Sequence, residues 1–386
     1  MSEYQYYEFL AIDHPLNESN RADLRAISSR AQITATSFTN TYNWGDLKGD
    51  PRSMLLKWFD AFVYVANWGS HEFSMRLPRR ALDGDLLSEY SGVLEKSGDH
   101  ILVELRADEI EAEGWEEGEG WMGSLVPLRA DLLAGDTRCL YLGWLLAVYS
   151  GELGEDEVSP PVPAGLASLS GPLAALVEFL AIDTDLVSAA AKWSAPLDET
   201  PSDAEEFATW LCALPESEKN ALLRRIAEEE HETHLRAELL ARFRKERQSQ
   251  THGRSARDTA APRLPTAGEL LQDAEKMTAE REKKEAETRR KEEEKKARDA
   301  AAKRKKHLAA LAAREPAAWD EVESLIGTKQ LPKYDAAVTL LKDLHELSVG
   351  QNDASCFLER IRAIRELHCR KPAFIRRLDD ADLPGA

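Results

Sequence analysis

Between Tyr4 and Arg106 short apolar and aromatic runs, one of them alternating with a period of two, are interrupted by two stretches of helical spacing. Tyr4 to Ile12 is aromatic and apolar enough for a strand, and Asp13-His14-Pro15 ends it because a proline disfavours continuation. Asn17 to Ser29 carries Leu24 and Ile27 at helical spacing. Ile33 to Trp44 sets Ile33, Ala35, Ser37, Thr39 and Thr41 against Thr34, Thr36, Phe38, Asn40 and Tyr42, a period of two that predicts a strand. A second helix is expected to start near Pro51, where a missing N–H costs nothing. Ala61–Trp68, His71–Leu77 and Asp99–Arg106 read as further strands. The order β-α-β-α-β-β predicts an α+β sandwich over residues 1–107.

Residues 108–247 change to helical spacing. Helices are expected near Ser124–Ala134, Thr137–Tyr149, Pro172–Ala181, Thr184–Trp193 and Ser202–Ala213, with a long one from Pro215 to about Glu246. They make either an all-α domain or a helical layer on the preceding strands. Ser202-Asp203-Ala204-Glu205 fits a capping box. Residues 248–267 are polar, with Gly253, Pro262 and Pro265, and read as a flexible linker.

Ala, Glu, Lys and Arg dominate residues 268–314, which favours a long charged helix of roughly 70 Å at ~1.5 Å per residue. Ala286 is the only apolar residue between Glu280 and Lys296, so that stretch has no coiled-coil seam. Glu280–Lys284, Glu285–Arg289, Glu287–Lys291, Glu292–Lys296 and Glu294–Arg298 instead place acid four residues before base, which supports a solvated single helix. A coiled coil is the alternative. Residues 315–386 carry stripes at Trp319, Val322 and Ile326, at Val338, Leu341, Leu344 and Leu347, and at Phe357, Ile361, Ile364 and Leu367. These predict a small C-terminal helical bundle.

The 386 residues carry a net charge of −19, and residues 1–250 alone a net of −22. Such an acidic body repels phosphate backbones, so nucleic-acid binding there is disfavoured. Lys303-Arg304-Lys305-Lys306 is a compact basic block and the one candidate for phosphate contact. The N-terminus lacks a secretory pattern, no apolar run suffices for a membrane span, and Cys139, Cys212, Cys356 and Cys369 are scattered. A cytoplasmic location with reduced thiols is expected.

Catalytic constellations are weak. His231-Glu232-Thr233-His234 is one residue short of the HExxH zinc motif, and Glu228-x-x-His231 lacks the second element a di-iron bundle needs, so this helix reads as a solvated charged face. Asp13-His14 and Ser70-His71-Glu72 place acid–base groups together at strand ends, with no nucleophile motif or phosphate loop alongside. The aromatics Trp44, Trp58, Phe59, Phe62, Tyr64 and Trp68 read as core, because the charge next to them in sequence is not basic. No cofactor or metal is expected.

Tyr6-Tyr7-Glu8-Phe9-Leu10-Ala11-Ile12-Asp13, Trp44-Gly45-Asp46-Leu47-Lys48-Gly49-Asp50-Pro51 and Phe59-Asp60-Ala61-Phe62 to Ala66-Asn67-Trp68-Gly69 resemble a family of uncharacterised bacterial proteins, and the resemblance implies no activity. Tyr334-Asp335-Ala336-Ala337-Val338 through Leu344, with His368 to Arg370-Lys371-Pro372-Ala373-Phe374 and on to Asp379, is similar to the C-terminal tail of bacterial SWIM zinc-finger proteins, over about 60 residues. The CxC and CxH of that finger do not occur here, so the resemblance brings neither metal nor zinc-finger nucleic-acid binding.

The chain therefore reads as a non-catalytic adaptor or scaffold whose partner is another protein, docked through Trp319, Phe357, Arg370, Lys371 and Phe374 on a charged-helix spacer. Two alternatives stand beside it. One is a nucleic-acid-associated factor acting through Lys303, Arg304, Lys305 and Lys306. The other is an enzyme with a site between residues 1–107 and 108–247, which a deep pocket at Asp13, His14 or His71 would favour.

Overall fold

The alternating segments form a seven-stranded sheet: β1 (Gln5–Leu10), β2 (Gln32–Ile33), β3 (Ser37–Tyr42), β4 (Ala61–Ala66), β5 (Ser70–Pro78), β6 (Leu94–Ser97) and β7 (His100–Ala107). Their spatial order is β2-β3-β1-β4-β5-β7-β6, and every neighbouring pair is antiparallel. The computed structural model describes residues 4–110, 118–197, 202–227, 232–255, 263–351, 353–381 and 383. They divide into two units, Met1–Arg281 and Glu282–Ala386.

Both faces of the sheet are covered. On one, Tyr7, Phe9, Phe38 and Phe62 pack with Leu24 of α1 (Glu18–Ile27) and with Met54 and Leu55 of α2 (Pro51–Trp58). Phe9 stacks on Phe62 with ring centroids 4.3 Å apart. On the other, Val63, Val65, Phe73, Met75, Val103 and Leu105 share a core with a helical layer. Double coverage explains why β4, Ala-Phe-Val-Tyr-Val-Ala, is apolar almost throughout. The strand expected over Ile33–Trp44 is interrupted instead. The Thr34 hydroxyl accepts from the backbone N–H of Thr36 and Ser37, at 3.1 and 2.9 Å, and that local turn displaces ladder pairing.

After β5 comes a 3-10 turn, Arg79–Ala81, and a single turn of helix, α3 (Leu86–Glu89). The helical layer comprises α4 (Trp121–Leu125), α5 (Pro127–Leu133), α6 (Arg138–Tyr149), α7 (Gly171–Phe179) and α8 (Thr184–Ala191). A Cβ at Gly143 would lie 2.4 Å from Leu105 Cδ2, so this glycine lets α6 lie close against β7. The strands and this layer share one core, so residues 1–107 and most of 108–247 form one body, the layered alternative rather than a separate all-α domain.

Over the long helix expected from Pro215, the described residues are helical at α10 (Glu216–Ala227) and α11 (Glu232–Ser255), residues 228–231 lying outside the described residues, and α9 (Ser202–Ala213) precedes them. The side chains of the Ser202/Glu205 capping box, and Glu228 and His231, lie outside the described residues. Residues 248–255, expected as linker, continue α11. The long charged helix is continuous as α12 (Ala267–Ala312). Its start is a reciprocal cap: the Thr266 hydroxyl accepts from Glu269 N–H at 3.2 Å, and the Glu269 carboxylate accepts from Thr266 N–H at 3.1 Å. Ala267, Leu270 and Ala274 are buried in the first unit, and the Arg281 guanidinium donates to Asp185 at 2.9 Å, so this end of the helix is part of that body. From Ala279 to Lys303 every side chain is exposed, and the expected pair Glu287–Lys291 closes at 2.7 Å.

The second unit adds α13 (Glu315–Gly327), α14 (Leu331–Gly350), α15 (Ala354–Leu367) and α16 (Pro372–Asp379). Val322, Ile326, Leu341, Leu344 and Ile361, on the predicted helical stripes, form its core together with Phe374. No described helix is long and apolar enough to cross a membrane.

Candidate functional site

At the C-terminal end of β1 the chain turns through Asp13 and His14 beside a cleft of about 610 Å³. Its walls come from Asp13, His14, Arg76 of β5, Pro78, the turn residues Arg79 and Arg80, Asp99, His100 of β7 and His234 of α11. A volume of this size falls within the ~300–1,000 Å³ usual for small-molecule sites.

A buried charge network forms the floor. Asp60, just before β4, is almost wholly buried, and its carboxylate accepts the backbone N–H of Ile12 and Asp13 at 2.7 and 2.9 Å. Its other oxygen takes the Arg76 Nη2 donor at 2.7 Å, while Arg76 Nη1 donates to the Leu56 carbonyl at 2.8 Å. Arg129 reaches in from α5: its Nε donates to the Arg76 carbonyl at 3.1 Å and its Nη2 to Asp13 Oδ2 at 2.7 Å. His234 Nε2 meets the same Asp13 oxygen at 2.8 Å. The Arg129 and Asp13 side chains are only 4% and 8% exposed, so each charge depends on its partners rather than on water.

Burial alone would raise the Asp13 carboxyl. The hydrogen bond from His234, with the charge and hydrogen bond of Arg129, outweighs it and holds Asp13 well below the usual carboxylate range. Burial, reinforced by the Arg76 charge, pushes the His100 imidazole down from its ordinary value. Asp13 and Asp60 are thus committed to Arg129 and Arg76. Arg79 and Arg80 are exposed at the wall, and among the described residues neither side chain has a carboxylate partner.

Of the acid–base groups singled out at strand ends, Asp13 and His14 line the cleft. His71 does not: its Nδ1 lies 2.6 Å from the Phe179 carbonyl and its ring stacks on Phe179, so it is a core histidine. Ser70 donates to Asp108 and Glu72 accepts from Ser74, both away from the cleft. His234, expected on a solvated face, is instead the α11 residue that closes on Asp13. Phe59 and Phe62 are core as expected, and Trp58 and Tyr64 are half-buried. Trp44 and Trp68, at 73% and 50% exposed, are not core.

In the second unit, Lys303, Lys305 and Lys306 are exposed, while Arg304 is paired with Asp343 at 2.6 Å and with Glu346, and is thereby tied to α14. Of the docking candidates, Phe357 and Phe374 are buried in the bundle core, where they hold the helices together instead of facing outward. Trp319 is half-buried, packed on Phe357 with centroids 5.7 Å apart and covered by Arg360. Lys371 donates to the Ile326 carbonyl at 3.0 Å, and Arg370 is exposed. Among the described residues no group of three or more His, Cys, Asp or Glu side chains is placed to hold a metal ion.

Sequence spacing hid this cleft because its parts come from five separated elements. Arg129 and Asp13 are 116 residues apart, and Arg76 and Asp60 face each other only through the β4–β5 hairpin. A weak signal was present in Arg76-x-x-Arg79-Arg80, three cations in five residues of an acidic body. Comparison with protein-family models, with curated proteins and with solved structures finds no significant match.

Proposed function

We propose that the first unit recognises a small molecule through an oxyanion group, phosphate or carboxylate, held in the Arg76–Arg80 cleft. The observation that carries this reading is the pair Arg79 and Arg80, two guanidiniums without carboxylate partners among the described residues, at a 610 Å³ cleft whose floor charges are already matched. Guanidinium pairs with planar or tetrahedral oxyanions bidentately, which suits it to this task. His14 and His100 place imidazole rings at the same wall. The floor network supplies rigidity, since Arg129 and Asp60 fix the segment that carries Asp13 and His14. Thermal unfolding of the full chain in phosphate, citrate and chloride at equal ionic strength tests the reading. An upward shift in Tm with phosphate or citrate that is larger in the wild type than in Arg79→Gln/Arg80→Gln is expected, because a ligand bound only by the folded state stabilises it beyond the general effect of these salts. A shift of the same size in both proteins, or equal Tm in all three salts, would contradict the reading.

A second reading concerns the other unit, and rests on Leu367, Val349 and Leu331, which are 69%, 54% and 53% exposed on the bundle surface. Exposed apolar side chains on a small bundle support a protein-docking role, which keeps the adaptor alternative. Affinity capture with the full chain and with Val349→Asp/Leu367→Asp separates the outcomes. A partner lost only with the variant supports docking, and an unchanged set of partners contradicts it.

A further inference from the structure

A second cleft, of about 370 Å³, lies at the opposite end of β1 from the oxyanion site, between the C-terminal end of α1 and the loop after β3. Arg25, Ser29, Arg30, Tyr42, Trp44 and Lys48 are among the residues that line it. Trp44 is 73% exposed, the most exposed large hydrophobic side chain among the described residues. A single exposed aromatic is ordinary on a protein surface. What distinguishes this one is how firmly its backbone is held and what surrounds it.

Gly45, immediately after Trp44, adopts φ +79°, a conformation that glycine takes without a Cβ clash, and the Gln5 side-chain amide donates to its carbonyl at 3.0 Å. The Asp46 carboxylate accepts from the Tyr7 hydroxyl and from Leu47 N–H, each at 2.7 Å. Tyr42 and Leu47 on either side are buried. The loop is thus pinned to the sheet around Trp44 while the indole stays in solvent, an aromatic surface presented in advance.

Three cations line the same cleft. Arg25 Nη1 donates to the carbonyls of Ser28, Ser29 and Ala31 at 3.3, 2.9 and 2.7 Å, which fixes its guanidinium at the end of α1. The Arg30 guanidinium carbon lies 5.5 Å from the centre of the Tyr42 ring. Lys48 completes the set. Among the described residues none of the three is paired with a carboxylate, and the one acid in the lining, Asp46, is engaged by Tyr7 and Leu47. The linear sequence conceals this, since Arg25 and Arg30 precede Trp44 by 19 and 14 positions.

An open indole face offers stacking to a planar ring, and cations without carboxylate partners beside it offer charge to a phosphate. We infer that this cleft binds a nucleoside phosphate, with the base on Trp44 and the phosphate at Arg25, Arg30 and Lys48. The volume suits a mononucleotide, within the ~300–1,000 Å³ range of small-ligand sites. The site is independent of the oxyanion cleft and shares none of its lining residues.

Calorimetric titration of the full chain with AMP, adenosine, ribose 5-phosphate and a short single-stranded oligonucleotide tests the inference. With the other cleft disabled by Arg79→Gln/Arg80→Gln, AMP is expected to bind, with adenosine and ribose 5-phosphate each about tenfold weaker or more, since each lacks one half of the recognition. Trp44→Ala should weaken AMP about tenfold, the usual scale of one aromatic–base stack, and Trp44→Phe by less. Arg30→Gln should weaken AMP and leave adenosine unchanged. Arg79→Gln/Arg80→Gln should leave AMP binding intact, which separates this site from the other cleft. Absence of AMP binding would overturn the assignment. So would equal affinity in Trp44→Ala, ribose 5-phosphate binding as tightly as AMP, loss of AMP binding with the Arg79/Arg80 variant alone, or binding of the oligonucleotide without AMP.

Discussion

Each unit contains an aspartate clasped between an arginine and a histidine, and the two settings differ in burial. In the first, Arg129, Asp13 and His234 have side chains 4%, 8% and 15% exposed, over a floor completed by Asp60 and Arg76. In the second, Arg304 and His307 hold Asp343 at 2.6 and 2.8 Å, but they are 40% and 52% exposed. The chemistry of the three groups is alike, and water decides what each cluster is worth. Where water is excluded, removing one partner strands a charge. Where it is not, solvent takes the partner's place. The first cluster also abuts a cleft whose wall carries Arg79 and Arg80, whereas the second closes a helix contact between α12 and α14.

The sharpest way to break this comparison is to delete one partner in each cluster. Asp13→Ala should cost about 3–5 kcal/mol of stability, because it removes the near anion of buried Arg129 and leaves only Asp60, 3.8 Å away. Asp343→Ala should cost only about 1 kcal/mol. Denaturant unfolding of both variants reads the difference, and equal costs would remove the role assigned to burial.

Acid sharpens it next. The folded-state pKa of Asp13 is depressed, so its contribution to stability is present above the ordinary carboxylate pKa of about 4 and is lost as pH falls below that value toward the folded pKa. Wild type should therefore lose stability more steeply below about pH 4 than Asp13→Asn does. Parallel slopes would mean that Asp13 carries no such linkage.

A smaller effect is expected at Thr266. Replacing it with alanine removes the hydroxyl that caps α12 and should cost about 1 kcal/mol, measured by thermal unfolding. The smallest belongs to Arg79→Gln/Arg80→Gln, which should change stability by no more than about 0.5 kcal/mol because both side chains are exposed. That near-silence in stability makes the pair suited to isolating binding.

The two regions were also unequally legible. Apolar and aromatic runs such as Tyr4–Ile12 and Ala61–Trp68 mark strands, and residue propensity marks α12, because both signals are local. The Thr266-x-x-Glu269 cap could have been read in the same way and would have placed the helix start one residue earlier. The clefts are non-local. Asp13 and His14 stood out as neighbours, but the partners that give Asp13 its environment arrive from α5 and α11, more than a hundred residues away. His234 drew notice only for a zinc spacing it fails to satisfy. Trp44 reads as core because the charge next to it in sequence is not basic, whereas Arg25 and Arg30 line its cleft from a separate stretch of chain.

The central claim is that Arg79 and Arg80 make the first cleft an oxyanion site, and equilibrium titration with inorganic phosphate tests it most directly. Wild type and Arg79→Gln/Arg80→Gln would be compared in the Trp44→Ala, Arg30→Gln background, which weakens the second cleft. Saturable binding that the Arg79/Arg80 change weakens at least about tenfold, with rising salt reducing the wild-type affinity, is the predicted result. Phosphate binding of the same strength with and without the two arginines, or none in either protein, would contradict it.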